Sequence, residues 1–300
     1  MYELDFHADD YAASAENSRR ILELIRAGCV DSISVMTNMG CFAECMALLR
    51  ENWDLFPHRP LLSAHINLID GFSLSARNGG EVIRGSWAKL FLWNLLPGKK
   101  KRRDILSREI EAQLCEFLKK TKDLKDDQEK PLALRIDSHV HTHMIPLVFD
   151  ALMEALDRMG LRQEVRFIRC STEPLRPFLS TPGVVGTISP VNIVKNLILN
   201  LLSHSARRKL AAEHIETGQI FGVAMTGEMD LKRVKLILPK MKRDAERNKA
   251  YLEVLSHPGR SAASEMSEEY GPDDRKAFPS PKRDTEYQML MAIQENAGSC

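Results

Sequence analysis

The chain has 300 residues, 44% of them hydrophobic and 28% charged, with 42 Lys and Arg against 41 Asp and Glu for a formal net charge of +1. This is the composition of a globular protein long enough to bury a sizeable core, and so balanced a charge supplies no global field for nucleic acid or an anionic membrane. The longest apolar stretch, residues 191–202, is interrupted by Asn192, Lys195, Asn196 and Asn200, and is too short and too polar to span a bilayer.

Short strand patterns alternate with helical ones from the start, which predicts an α/β fold of repeated β-α units around a mostly parallel sheet in one domain. Residues 4–7 read as a first strand with no charged-then-apolar leader before it. Ser14 then caps a helix whose apolar face holds Ile21, Leu22, Leu24 and Ile25, and Gly28 stops it. Residues 32–37 form the second strand and 41–49 the second helix, in which Cys41 and Cys45 read as small packing residues. With Cys29, Cys115, Cys170 and Cys300 they are scattered thiols, the usage of a reducing cytoplasm.

Residues 61–68 give the third strand. Residues 69–103 read as an insertion over the strand ends, with Trp87, Leu90, Phe91 and Leu95 at rough helical spacing. Trp87 and Trp93 read as packing residues or as a stacking surface for a sugar. The basic run Lys99-Lys100-Lys101-Arg102-Arg103, after Pro97-Gly98, reads as a solvated loop, with a polyanion contact as the alternative. A helix over 108–120 leads to a buried strand through Leu132, Leu134 and Ile136. Then come a helix over 147–159, a strand over 165–168 and two further helices with a short strand at 222–226 between them. A strand over 251–255, a loop over 260–281 and a helix over 285–295 complete the chain.

Four polar clusters sit at the ends of predicted strands: Asp9-Asp10, His65 with Asn67, His139 to His143, and His257. Strand ends of one parallel barrel share a face, so these residues can converge. In the run Asp137-Ser138-His139-Val140-His141-Thr142-His143, a strand would put all three imidazoles on one face, toward a metal or a polar substrate. A solvated strand with an adventitious metal patch is the competing reading. One Asp with two imidazoles is an accepted ligand set for a divalent ion that keeps a position open for water. A second Asp beside it can take a proton from that water. Taken singly, Asp9-Asp10 reads equally well as a helix cap, His65 as an interior histidine and His257, before Pro258, as a turn residue.

In this order, the pieces resemble the YdjC-like (ChbG-type) carbohydrate deacetylases. The matching segments are Ala8-Asp9-Asp10-Tyr11, Ser32 to Asn38, His65-Ile66-Asn67-Leu68, Asp137 to Pro146, Gly222 to Gly227 and Glu253 to Gly259, with Arg283, Glu286 and Leu290 fitting a closing pattern. The resemblance implies an irregular, TIM-like (β/α) barrel of seven or so strands, related to the polysaccharide deacetylases. It implies a hydrolase removing the N-acetyl group from an amino sugar or a small chitooligosaccharide such as diacetylchitobiose. One divalent metal ion is expected, Mg²⁺ by family relationship or Zn²⁺ by ligand softness.

Carried over residue by residue, the resemblance makes Asp10, His65 and His139 the metal ligands, Asp9 the base and His257 the acid that protonates the departing amine. His141, His143 and Asn67 orient ligands or touch substrate. Arg169 with Glu173 resembles an Arg…Glu pair that fixes the base or the substrate, with a structural ion pair as the alternative. The chain departs from the pattern at His7, where Asn is common, at Tyr11-Ala12, at Ile69 and at Arg135. His7 could add a ligand or alter the surroundings of the water; the departures bear on substrate preference. Competing functions are another metal-dependent hydrolase, such as a phosphoesterase or amidohydrolase, and a non-catalytic sugar-binding protein. Binding alone has no need of a base, so Asp9 beside Asp10 favours an enzyme. The expected partners are a small acetylated sugar and, weighted by family, a second copy in a homodimer, with no nucleic acid or membrane.

Overall fold

The computed structural model describes residues 4–80, 83 and 85–297; Cys300 and the three residues before the first strand lie outside them. Among the described residues seven strands form one sheet: β1 (Leu4–Tyr11), β2 (Ser32–Val35), β3 (Leu61–Ile66), β4 (Leu134–Ser138), β5 (Val165–Ile168), β6 (Gly218–Phe221) and β7 (Tyr251–Ser256). Their order is β5-β4-β3-β2-β1-β7-β6, every neighbouring pair parallel. Parallel neighbours need crossovers, and these are helical. The two edges approach one another, since Phe167 of β5 bridges Glu216 just before β6 and Ile168 N–H donates to the Glu216 carbonyl at 3.1 Å. The sheet therefore curls toward a barrel.

The helices are α1 (Ala15–Arg26), α2 (Phe42–Asn52), α3 (Trp87–Leu95), α4 (Lys99–Thr121), α5 (Pro146–Arg158), α6 (Arg176–Leu179), α7 (Pro190–Ala212), α8 (Leu231–Asn248), α9 (Asp274–Ala277) and α10 (Lys282–Ala297). Among the described residues no helix is long and apolar enough to cross a membrane. Ser14 caps α1 as its position predicts, its hydroxyl accepting from Asn17 N–H.

The period of two along each strand sorts side chains between two surroundings. Ile33, Val35, Leu62, Ala64, Ile136, Leu252 and Val254 join the apolar core with the helices, where full burial of each larger side chain is worth about 1.5–3 kcal/mol. The alternate positions are polar and equally buried: Asp5, His7, Ser32, Ser34, His65, Arg135, Asp137 and Glu253. They contact one another, as in Ser32 Oγ donating to Asp5 at 2.6 Å and Arg169 Nε meeting Glu253 at 2.6 Å. The barrel interior is thus a paired ionic network, and that network carries the site at its upper end.

Three expectations are corrected. The run Lys99 to Arg103 is not a loop but the first turns of α4, which starts directly after Gly98 in a left-handed conformation (φ 85°). Its cations remain on the helix surface, with Arg102 donating to the Leu96 carbonyl and Arg103 paired to Glu154. The strand expected at 222–226 does not form there; β6 ends at Phe221. Gly222 has φ 153°, a Cβ on it would meet the Leu255 carbonyl oxygen at 2.1 Å, and its N–H donates to Glu173 at 2.6 Å. The third correction is the path of the histidine run, described with the site.

Candidate active site

β1 continues past His7 to Tyr11, and its register with β2 shifts between Ala8 and Tyr11. Asp10 lies at φ 69° and Ala12 at φ 67°. Adjacent residues of a regular strand face opposite ways; this bulge re-aims them. Both carboxylates are consequently buried at the same end of the barrel with separate partners.

Asp10 Oδ1 lies 3.1 Å from His139 Nδ1 and 3.5 Å from His65 Nε2, while Arg283 donates to its Oδ2 at 2.5 Å. One donor atom each from Asp10, His65 and His139 fall within 4.8 Å of one another. His65 is oriented from behind by Asp137, which accepts from Nδ1 at 2.6 Å. Its other nitrogen, Nε2, is buried with no hydrogen-bond partner among the described residues. A buried, unpartnered imidazole nitrogen facing a carboxylate and a second imidazole fits a divalent cation in both donor type and need.

Electrostatics agree. Burial opposes charge on Asp10, but Arg283, His139 and His65 outweigh it and hold the carboxyl well below its ordinary range. Burial likewise lowers the His65 pKa, yet Asp137, Asp9 and Asp10 lift it to about 9. His139 is raised well above its ordinary value against its burial, by Asp274 and Asp10. Without an ion, this corner collects protons onto its imidazoles.

Asp9 is gripped on the other side. Arg169 donates to its two oxygens at 2.9 and 3.2 Å, and His7 Nε2 lies 3.0 Å from Oδ1. Burial works to raise its pKa, but Arg169, His65 and His7 hold it well below the usual carboxylate range. Arg169 also contacts Asp137 at 2.9 Å. The expected Arg169–Glu173 pair does not form. Glu173 instead accepts N–H groups of Gly222 and Ala224 and the side-chain amide of Asn196, because β5 turns away after Ile168 and carries Glu173 to the end of β6.

His257 follows β7. Its Nε2 is 3.8 Å from Asp9 Oδ2, its backbone N–H donates to Glu286 at 2.5 Å and its Nδ1 is 3.7 Å from the same carboxylate. Glu286 itself is kept ionised, since contacts from His257 and the Gly227 N–H outweigh its burial.

The three histidines of the run do not share a strand face. β4 ends at Ser138, and His139–Met144 form a tight 3-10 turn in which Val140 (φ 43°) and His141 (φ 57°) are left-handed. A β-branched residue there is a genuine conformational outlier, of the kind found at functional sites. The turn splits the imidazoles. His139 meets Asp10; His141 Nδ1 meets Ser171 Oγ at 2.9 Å; His143 Nε2 donates to the Arg169 carbonyl at 2.7 Å, with its Nδ1 on Ser138. Burial keeps His141 and His143 neutral, His143 down to about 4. Asn67 is spent on local structure, its Oδ1 accepting from Ile69 and Asp70 N–H.

That turn delivers Asp70 to the site, a residue with no warning in the spacing. Asp70 and Asp274 of α9 flank His139 Nε2 at 3.7 and 3.2 Å. The two carboxylates divide their charge: burial and Asp274 push Asp70 up to about 7, and His139 brings Asp274 down to about 2 against its burial. A cavity of about 210 Å³ opens over the cluster, lined by Asp9, Asp10, His139, His141, Lys195 and His257 among others. An apolar cleft of about 560 Å³ adjoins it through Val140, Lys195 and Asp274, and Trp87 lines that cleft.

The family model described as YdjC-like protein matches residues 3–294. A curated chitooligosaccharide deacetylase from Enterobacter sp. (strain 638) is 28% identical over 204 residues, 67% of this chain and 75% of that protein. Among solved structures, that of an Enterococcus faecalis V583 protein, described as a candidate cellobiose-phosphate cleavage protein, aligns with a TM-score of 0.57 at 13% identity. The alignment covers 99% of this chain and 94% of that one, and at this identity the likeness concerns the fold alone.

Proposed function

Because the chain belongs to the YdjC-like protein family, we propose that it is a metal-dependent hydrolase removing the N-acetyl group from an N-acetylated amino sugar or small chitooligosaccharide. The observation that carries this reading is the group Asp10, His65 and His139, with donor atoms within 4.8 Å of one another, beside a separate ionised carboxylate on Asp9. Those three residues would hold one divalent ion, Mg²⁺ or Zn²⁺. Such an ion supplies Lewis acidity toward the acetamide carbonyl and acidifies water at neutral pH.

The chain's own groups do the proton work. Asp9 accepts a proton from the attacking water, and Arg169 fixes its carboxylate for that task by two charge-assisted hydrogen bonds. Its depressed pKa keeps it in the accepting form through the neutral range. An amide anion is a very poor leaving group, so the departing nitrogen must be protonated as the C–N bond breaks. His257 is the donor, on the cavity wall beside Asp9 and held by Glu286. Neutral His141, on the cavity wall, is placed to touch the sugar. The chain acts as one catalytic domain, with Ile69 and Trp87 lining the cleft that adjoins the site.

The test is acetate release from N,N′-diacetylchitobiose by metal-free protein resupplied separately with Mg²⁺, Zn²⁺, Mn²⁺ and Co²⁺. Metal-dependent release is the expected result. Metal binding without release from this or other N-acetylated sugars would overturn the reading.

A further inference from the structure

His7 stands one β-repeat below Asp9 on the inner face of β1 and is fully buried. Both of its ring nitrogens are engaged. Nδ1 lies 2.6 Å from Ser32 Oγ; Nε2 lies 2.7 Å from Ser34 Oγ and 3.0 Å from Asp9 Oδ1. Each serine hydroxyl has one proton to give, and each already faces a carboxylate. Ser32 donates to both oxygens of Asp5 at 2.6 and 2.7 Å, and Ser34 donates to Asp137 Oδ2. Both hydroxyls can therefore only accept from His7, and so can the Asp9 carboxylate. A neutral imidazole, with one nitrogen bare, would set a lone pair against lone pairs at one end.

We propose that His7 is a buried imidazolium that donates from both nitrogens and, with Arg169, clamps Asp9 in its working orientation. It is a positioning residue, walled off from the cavity and from any substrate. The groups around it support a charge: the carboxylates of Asp5 and Asp9 from β1, Asp137 from β4 and Glu253 from β7 face it, against Arg169, Arg135 on Asp5 and His65 on Asp137. Burial and Arg169 pull the His7 pKa down, but Glu253 and Asp9 outweigh them and the net direction is up. Asp9 Oδ1 thus has a donor from below and Asp9 Oδ2 has Arg169 from the side, so neither oxygen can swing without losing a charged partner. The kinetic consequence rests on the proposed role of Asp9; the protonation state does not.

The experiment has two arms. In ¹⁵N-histidine NMR of the full chain, with His7 assigned by its loss in His7→Gln, both ring nitrogens should carry protons at pH 7. A neutral tautomer at pH 7 would overturn the proposal whatever the enzyme does. In the kinetic arm, His7→Gln keeps a donor near Nε2 but removes the charge. Its kcat should fall roughly ten- to hundredfold through a looser base, with KM and metal content close to the parent's and the melting temperature lowered by loss of a buried charge; an unchanged kcat in a folded, metal-replete His7→Gln would overturn it. Wild-type protein inactive on every acetylated sugar, yet with both His7 nitrogens protonated, would remove the deacetylase reading and leave the imidazolium standing.

Discussion

The Nδ1 of His65 lies 2.6 Å from Oδ1 of Asp137, and this contact turns the opposite nitrogen of the same ring, which has no partner of its own, toward Asp10. In the neutral ring the carboxylate selects the Nδ1–H tautomer, and it is in that form that Nε2 has a lone pair to offer an ion. Asp137 immediately precedes the Ser138-His139 pair, yet the sequence alone does not mark it as the partner of His65.

Asp137→Asn therefore tests the back-up contact without touching a proposed ligand. The amide can present its NH₂ to His65 and invert the tautomer. Metal affinity should fall by about 10- to 100-fold, measured by competition with a chelating indicator. An affinity equal to the parent's would show that His65 needs no such partner.

Ion binding should release protons. His65 is lifted to about 9 in the ion-free protein, so at pH 7 it carries a proton that a cation must displace. Affinity then increases with pH, about tenfold per unit for each proton displaced, until pH 9 is passed. Calorimetry at pH 7 in two buffers of different ionisation enthalpy reads the proton count. Zero protons released would contradict the assignment of His65 as a ligand.

Arg169 is fully buried among Asp9, Asp137 and Glu253. Arg169→Leu leaves three carboxylates without their shared cation, and removing one partner of a buried ion pair costs about 3–5 kcal/mol. Urea unfolding should show that loss at neutral pH. Stability within 1 kcal/mol of the parent would mean that water or protonation already relieves the cluster.

Replacing His257 by Ala removes the proposed acid while leaving Asp10, His65 and His139 in place. Turnover should drop by about 10²- to 10⁴-fold, with metal content unchanged. Acetate release at the parent rate would remove His257 from the mechanism.

Much of the architecture was legible because parallel β-α units announce themselves by alternation, and because Asp9, Asp10, His65, His139 and His257 each follow a strand pattern. What resisted reading has physical causes. The run from Asp137 to His143 has strand periodicity, yet the chain leaves the sheet at Ser138, a turn bought with two left-handed residues that no residue type there forecasts. Asp70 and Asp274 reach His139 from 69 and 135 positions away, through an Asx turn at Asn67 and a four-residue helix in what reads as loop. The basic start of α4 resembles a loop because its exposed charge gives no apolar stripe to count. The inward polar face of β1 and β2 mimics the solvent face of an ordinary strand, since alternation alone does not say which side faces water.

The most direct test of the account measures metal-to-protein ratio and acetate turnover on the same preparations of wild type, Asp9→Asn and His139→Ala. The account predicts that Asp9→Asn keeps the wild-type metal ratio and loses turnover, whereas His139→Ala loses both. Wild-type metal content in His139→Ala, or full turnover in Asp9→Asn, would contradict it.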